Sequence, residues 1–560
     1  MADASDAKLS QALMKKIRQR KNVEAASHFA LGIMGIVCLY TLYFWAGPLY
    51  RRICIGSRIK TACHKPAEIM RMIRRKLIVD TPGFISWGHA VICILYVVVS
   101  LSVLFTNINW VNLSGFAKRL GWLTVLNMCL SIFLGLKHTP LSLLTDQSYE
   151  KLNCLHQVAG YSSIASLFLH TVVYLFSLNK MGKLSRVIME KAQVMGILAG
   201  FSLLIIFLTA ISLRKRHYEV FYVFHILMVL SAIILAGLHR PRVSVTRSTY
   251  ILIFAGLIWA LDRFLRLSKY VIYSYKNTAT ITPLPYKGTR VEFSKPLKST
   301  SPGQHYFIWL PDIRTFETHP FTCISAENGE FIVAAQNGFT QSLYQRALKE
   351  PGVTLRASFD GPYGNPPDLT GFTKVLFIAG GSGASYTCSL AVDLVRKLGH
   401  STKTSLDFTL VLRHKDMIEW VSTYLNILAS SPIVSLQVHV TRKGSEESRN
   451  SLLPLSNFIG SFPLDTLYTL QNLPNVTEKV DKRDTLTSNI FVKAPMELNI
   501  GRPDISSLIS QAVNISSTTE RIAIVACGPN AMMVNVRRLV SENIRPEGPS
   551  LQLFSEQFGW

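Results

Sequence analysis

Residues 154–178 read CLHQVAGYSSIASLFLHTVVYLFSL, and residues 219–239 read EVFYVFHILMVLSAIILAGLH. Each run is long and apolar enough to cross a bilayer, which takes about 20 residues of helix. The first carries His156 and His170, the second His225 and His239, and both pairs are fourteen residues apart. Fourteen helical residues rise about 21 Å and come back to within roughly 40° of whole turns, so each pair points one way from two depths. One histidine in a span reads better as a ring bonding a neighbouring helix. Four at matched spacing, on two spans that run in the same direction, favour a functional reading. His156 then meets His225 at one level and His170 meets His239 at the other, and each facing pair can hold an iron porphyrin by both axial positions. His28, His89, His138 and His217 have no partner at such a spacing and read as ordinary histidines.

Outward from these two runs, seven apolar stretches can be marked, near 29–48, 84–105, 120–136, 154–178, 192–213, 219–238 and 250–267. The third is short and reads equally as a core helix. Residues 1–28 read as a polar tail with no apolar core or cleavage site, so no secretory signal is expected. The 59 Lys and Arg against 34 Asp and Glu leave a net charge of +25, of which residues 1–269 hold +22. That excess sits between apolar runs rather than on one polar face, which excludes nucleic acid as its reason and fits membrane loops. Nine basic residues between Arg51 and Lys76, with Arg214, Lys215 and Arg216, place those loops on the cytoplasmic side. Seven crossings then put the amino-terminal tail outside, although Lys15, Lys16, Arg18, Arg20 and Lys21 argue the other way. His156 and His225 would hold the inner haem and His170 and His239 the outer one. Asn112-Leu-Ser114 becomes an outward glycosylation acceptor. The nine scattered cysteines form no CxxC pair, so neither a zinc site nor a disulfide framework is expected.

From about residue 270 the pattern changes to short alternating strands, ATITPL, RVEFS, QHYFIWL, EFIVAAQ and TLRASF, ended by Asp-Gly-Pro-Tyr-Gly at 360–364. Such spacing predicts a small antiparallel barrel. From 372, KVLFIAGGSGASYTCSLAVDLVRKL, SLDFTLVLRH, SLQVHV and RIAIVACGPNAMMVNVRRLV alternate strand and helix, which predicts a doubly wound parallel sheet. Gly380-Gly381-Ser382-Gly383 follows a strand and opens a helix, where backbone amides can reach a pyrophosphate. Cys527-Gly528-Pro529-Asn530 ends a later strand, at the edge where a cofactor lies. Arg413 reads either as a clamp for an adenosine phosphate or as a solvated strand-end arginine. Residues 442–499 interrupt the sheet with polar, weakly patterned sequence and read as a mobile insertion.

Over residues 84–560 the chain resembles the fungal ferric (metallo)reductases of the NADPH oxidase and ferric reductase superfamily. The resemblance is carried by the two histidine pairs, His319-Pro320-Phe321-Thr322, Gly338-Phe339-Thr340, Asp360 to Gly364 and Gly380 to Gly383. It continues through LRHKDMIEW with Arg413 and Trp420, Gly501-Arg502-Pro503-Asp504, Cys527-Gly528-Pro529 and the final Ser-Glu-Gln-Phe-Gly-Trp. It implies a multi-pass helical membrane domain over 29–269 with two b-type haems. A ferredoxin-NADP reductase-like module would follow, with an FAD-binding β-barrel over 270–366 and an NADPH-binding α/β domain over 367–560. By resemblance, His319, Pro320, Phe321 and Thr322 hold the flavin edge and phosphates of FAD, with Gly338 and Thr340 at its pyrophosphate. Gly380, Gly381, Ser382, Gly383 and Ser385 would line the NADPH pyrophosphate; the family usually has Thr where Ser385 stands. Arg413 and Arg502 would read the 2′-phosphate. Cys527 and Gly528 would lie by the nicotinamide, and Phe558 or Trp560 would cover the flavin.

NADPH gives two electrons as hydride whereas iron accepts one, so a flavin converter and single-electron haems suit the task. The expected acceptor is a ferric or cupric chelate beyond a lipid bilayer, most readily the plasma membrane; the sequence names no partner subunit. The near alternative is a superoxide-producing oxidase with O₂ as acceptor. The short outward loops near 106–119, 179–191 and 240–249 favour the reductase, because longer loops would cap the outer haem. A transporter fits less well, since no pair of broken half-helices surrounds a midplane site.

Overall fold

The computed structural model describes residues 2–55, 64–84, 86–108, 113–145, 149–239, 247–297, 300–399, 403–442 and 497–556. The chain divides into two compact units. One holds residues 1–65, 81–275 and 363–365; the other holds 66–80, 276–362 and 366–560.

The first unit is helical: α1 (Ala2–Ile55), α3 (Trp87–Phe105), α4 (Leu113–Leu134), the short α5 (Pro140–Thr145), α6 (Tyr149–Lys180), the short α7 (Leu184–Ile188), α8 (Lys191–Ser212), α9 (Tyr218–Leu238) and α10 (Arg247–Ser274); α2 (His64–Ile78) belongs to the other unit. Most of these helices are apolar around the whole circumference, as helices facing lipid on one side and each other on the rest must be. Six are long and apolar enough to cross a membrane, at 16–47, 87–105, 113–134, 151–180, 191–212 and 218–238. The seventh expected span falls on α10, a helix of 28 residues. It packs in the bundle through Leu252 and Ala255 and carries Asp262, Arg263 and Arg266 towards its carboxyl end. Asp262 is spent on the bundle itself, accepting from the His138 backbone N–H at 3.1 Å and pairing with Arg263 at 3.0 Å.

Two boundaries also differ from the sequence expectation. The polar tail expected over 1–28 is part of α1, and Asn22, Ala25, Ala26 and Phe29 are buried. The small residues of VEAASHFA hide a packing face that a hydropathy reading treats as polar. The third span is longer than expected and runs over Lys118 and Arg119. Arg119 is only 3% exposed. Its guanidinium donates to Asn22 Oδ1 at 2.8 Å and to the backbone oxygens of Val103, Thr106 and Lys21 at 2.7, 3.1 and 3.2 Å. A buried cation is tolerable when its donors are filled in this way.

In the second unit β1 (Thr278–Leu284), β2 (Gly288–Phe293), β3 (His305–Trp309), β4 (His319–Ser325), β5 (Glu330–Ala334), β6 (Val353–Arg356) and β7 (Ser358–Tyr363) form one sheet in the order β6-β1-β2-β5-β4-β3-β7. The pairings from β6 to β3 are antiparallel. Tyr306, Phe331, Phe339 and Leu343 fill its core, the last two from α11 (Phe339–Lys349). The sequence reading found neither β4 nor α11 as elements, and it ended the sheet at Asp360, whereas β7 runs through it.

The remaining strands, β8 (Lys374–Gly380), β9 (Ser405–Leu412), β10 (Val434–Val440), β11 (Glu497–Ile500), β12 (Arg521–Cys527) and β13 (Ser550–Glu556), form a parallel sheet in the order β11-β10-β9-β8-β12-β13. Around it lie α12 (Ala384–Leu398), α13 (Ser422–Ala429), α14 (Ile505–Ile515) and α15 (Asn530–Asn543). Its strands are near-continuous Val, Ile, Leu, Phe and Ala, as a sheet covered on both faces requires. The chain leaves β8 towards β9 on one side and returns at β12 on the other, so the switch in winding lies between β8 and β12. The expected insertion over 442–499 lies almost wholly outside the described residues; the strands that flank it, β10 and β11, pair in parallel.

Candidate electron-transfer sites

In the first unit the four transmembrane histidines meet as two pairs. The ring centres of His156 and His225 are 6.1 Å apart, and those of His170 and His239 are 6.4 Å apart. Two imidazoles gripping one iron from opposite sides, at about 2 Å per metal–nitrogen bond, need ring centres about 6 Å apart. Three of the rings are held from behind. His156 Nδ1–H donates to the Ser131 carbonyl, His170 Nδ1–H to that of Ala117 and His239 Nδ1–H to that of Ala192, each at 2.7 Å. A carbonyl accepts only, so these bonds fix the tautomer and leave Nε2 with its lone pair, the form that ligates a metal.

Glycines make room for this. A Cβ on Gly121 would lie 3.1 Å from the His170 ring, one on Gly135 3.1 Å from His156, and one on Gly196 2.3 Å from His239. The residues therefore suit haem at both levels. The sequence reading missed these glycines, although Gly121 and Gly135 repeat the fourteen-residue spacing of the histidines they face. His138 lies outside both pairs: its Nδ1 is 3.2 Å from Asp262 Oδ1, and Lys269 Nζ donates to its Nε2 at 2.9 Å.

In the second unit His319 opens β4. Its Nε2 is 3.2 Å from Glu317 Oε2, and its ring stacks on Phe339 with centres 4.5 Å apart. Pro320, Phe321 and Thr322 follow it, half-buried. Gly338, at φ 62°, precedes α11 with open space where a Cβ would be. The Thr340 hydroxyl accepts from the Gln336 N–H at 2.9 Å. This helix start, beside an exposed backbone, is the kind of place where a phosphate is bound.

The parallel sheet brings the other motif residues to one edge. Gly380 to Gly383 leave β8 and Cys527-Gly528 leave β12, so both loops stand at the switch point where ligands of such sheets bind. The glycines divide their work. A Cβ on Gly383 would sit 2.2 Å from the Cys527 carbonyl, and one on Gly380 2.8 Å from Pro529. These two close the loops on each other. Gly381, at φ 56° with nothing near it, and exposed Ser382 face outward. Ser385 is buried in the first turn of α12, and Cys527 is buried at the end of β12, where burial pushes its thiol well up. Arg413, after β9, and Arg502, after β11, are both exposed on the same strand-end edge. Phe558 and Trp560 lie outside the described residues; β13 ends at Glu556, in register with Cys527.

Three family models match consecutive parts of this chain: "Ferric reductase like transmembrane component" over 120–236, "FAD-binding domain" over 273–367 and "Ferric reductase NAD binding domain" over 372–541. The chain thus carries, in order, parts similar to the membrane, FAD-binding and NAD-binding parts of ferric reductases. Among its relatives, a "Probable ferric reductase transmembrane component" of Candida albicans is 26% identical over 76% of this chain and 62% of its own length. A "Ferric/cupric reductase transmembrane component 2" of Schizosaccharomyces pombe is 25% identical over 80% of this chain and 82% of its own. A "Probable cell surface ferric reductase" of Aspergillus oryzae is 25% identical over 75% of this chain and 59% of its own. The chain thus spans about three-fifths of the length of the Candida and Aspergillus relatives. It combines a multi-pass membrane part with FAD-binding and NAD-binding reductase domains.

Proposed function

We propose that this chain moves electrons from cytosolic NADPH, through FAD and two b-type haems, to ferric or cupric chelates on the far side of the plasma membrane, in support of metal uptake. The observation that carries the proposal is the double pairing of histidines on α6 and α9, ahead of FAD-binding and NAD-binding domains in one chain. The relatives named as ferric and cupric reductases, one of them at the cell surface, support the substrate and the location. When bound, FAD exchanges a hydride for single electrons, and haem carries electrons one at a time.

The chain's own residues supply binding and positioning. His156, His170, His225 and His239 would offer their Nε2 atoms to haem iron. Ser131, Ala117 and Ala192 orient three of those rings and raise their basicity. His319 to Thr322, Gly338 and Thr340 hold FAD. Gly381, Ser382 and the first turn of α12 receive the NADPH pyrophosphate, with Ser385, Gly380 and Gly383 shaping that turn, and Cys527-Gly528 borders the nicotinamide. Arg413 and Arg502 pair with the 2′-phosphate, which selects NADPH over NADH. No proton transfer is needed at the acceptor.

The second reading, an oxidase that delivers electrons to O₂, shares all of this wiring. The short connections from α3 to α4, α6 to α8 and α9 to α10 favour the metal, because they leave little chain to cover the outer histidine level. NADPH-driven reduction of a ferric chelate by membranes carrying the protein separates the two. Activity that survives superoxide dismutase is expected. Activity that vanishes with the dismutase would make superoxide the carrier and the oxidase reading correct.

A further inference from the structure

The seats of the histidines follow one rule, and one seat breaks it. Helices α4 and α6 run antiparallel, so moving fourteen residues up one means moving fourteen down the other. His156 faces Gly135 and donates to the carbonyl four residues before it, that of Ser131. His170 faces Gly121 and donates to the carbonyl four residues before that, Ala117. On the second antiparallel pair, α8 and α9, His239 faces Gly196 and donates to Ala192, again four residues earlier. The same arithmetic assigns His225 to position 210 and to the carbonyl of residue 206. Position 206 is Ile and position 210 is Ala, not Gly. His225 Nδ1 is buried and has no hydrogen-bond partner. Its ring lies instead against Phe221, with centres 5.2 Å apart.

The other three seats show why one methyl group matters. The ring reaches its carbonyl only by lying where a Cβ would be, and at Gly196 that Cβ would overlap His239 Nδ1 at 2.3 Å. We propose that Ala210 is a positioning residue: its Cβ withholds the Ile206 carbonyl from His225, so the His156/His225 level has the higher midpoint potential of the two. This rests on the haem reading above. An Nδ1–H···O=C bond gives an imidazole more electron density to donate and stabilises the ferric ion it ligates. At the His170/His239 level both ligands have that bond; at the His156/His225 level only one does. The level with one bond holds an added electron more readily. In the proposed orientation it is the level on the cytosolic side, so an electron leaving the flavin meets the better acceptor first.

The test uses the full-length protein in lipid nanodiscs, titrated optically against potential. Unaltered protein should show two one-electron steps with separate midpoints. Ala210→Gly should lower the upper midpoint, by about 59 mV for a tenfold change in the ferric-to-ferrous ratio, and leave the lower one in place. Alanine to glycine inside a helix is a modest destabilisation, which a bundle this size should bear. Gly196→Ala should raise the lower midpoint or abolish that step, and it decides the matter if Ala210→Gly does not accumulate: loss or movement of the upper step would overturn the proposal. So would equal midpoints in the unaltered protein, or an Ala210→Gly protein with full haem content and both midpoints unmoved. A purified protein without a bis-imidazole haem spectrum would overturn the haem reading itself, a result distinct from all of these.

Discussion

Replacing His170 by Ala removes one ring of a facing pair and leaves the other, His239, still anchored to Ala192. One of two haems should be lost from the reduced-minus-oxidised spectrum, chelate reduction should fall to background, and NADPH oxidation with a soluble dye should continue. Loss of dye reduction at normal expression would mean that the flavin module depends on the bundle. At the other end of the chain, exposed Arg413 has nothing to pack, so its removal should act on the nucleotide alone. A charge-assisted hydrogen bond contributes about 1.5–3 kcal/mol, so Arg413→Ala should raise the KM for NADPH by about tenfold or more and leave that for NADH little changed. Equal effects on both would remove Arg413 from the 2′-phosphate. At this scale the histidine pairs were legible because their spacing matches one helix geometry, whereas the roles of the motif residues came from the family resemblance. The carbonyls of Ala117, Ser131 and Ala192 were not, because any residue has one, and only packing selects which is used.

Between elements, the antiparallel and parallel sheets of the second unit are joined by residues that composition marks only weakly. Trp420 Nε1 donates to the Pro285 carbonyl at 2.8 Å, and Gly288 lies under its ring, where a Cβ would be 2.7 Å away. Tyr286 stacks on His414 with centres 4.0 Å apart. The turn before β2 is thus clasped by the LRHKDMIEW run, which gives that run a structural task beside any at the nucleotide. Deeper in, Glu330 accepts from the Tyr424 hydroxyl, and Arg290 Nε lies 3.0 Å from its carboxylate without its N–H aimed there. Burial raises the Glu330 carboxyl above its ordinary range, against the lowering by Tyr424 and Arg290. A raised acid binds more protons folded than unfolded, so its contribution to stability is present at low pH and is lost as pH rises through the folded value. Glu330→Gln cannot ionise, so its Tm relative to the unaltered protein should rise as pH goes from 4 to 7. A constant difference across that range would show that Glu330 titrates alike in the folded and unfolded chain. Asp504 works in the opposite sense: Ser507 and Ser506 bond its carboxylate and lower it, so its capping of α14 is lost as pH falls.

For the molecule as a whole, the sequence places α2 in a loop of the membrane half, yet it packs on the nucleotide-binding sheet. Ile78 joins the core behind β12, Arg74 reaches the Leu551 carbonyl at 3.4 Å, and Asp80 pairs with Arg537 at 2.8 Å. Much of the basic charge that reads as a cytoplasmic loop signal thus belongs to a helix of the nucleotide-binding unit. Asp80→Ala should speed amide hydrogen exchange across 66–80 and leave exchange in 87–105 unchanged. Unaltered exchange across 66–80 would mean that apolar contacts alone hold α2.

What the sequence settled by itself was whatever repeats with the period of an element: the membrane runs, the fourteen-residue histidine ladders, the alternating strands, and the glycine turn between a buried strand and a helix. Those patterns are local, because side chains on one element must share a face whatever the rest does. Tertiary structure alone decided that α1 is buried at Asn22, that Arg119 can be buried, that α10 gives its charges to its neighbours, and that three histidines of four have a carbonyl behind them. Each of these depends on what lies across a helix–helix contact, where a missing Cβ or a well-placed oxygen reverses what the residue's own polarity suggests.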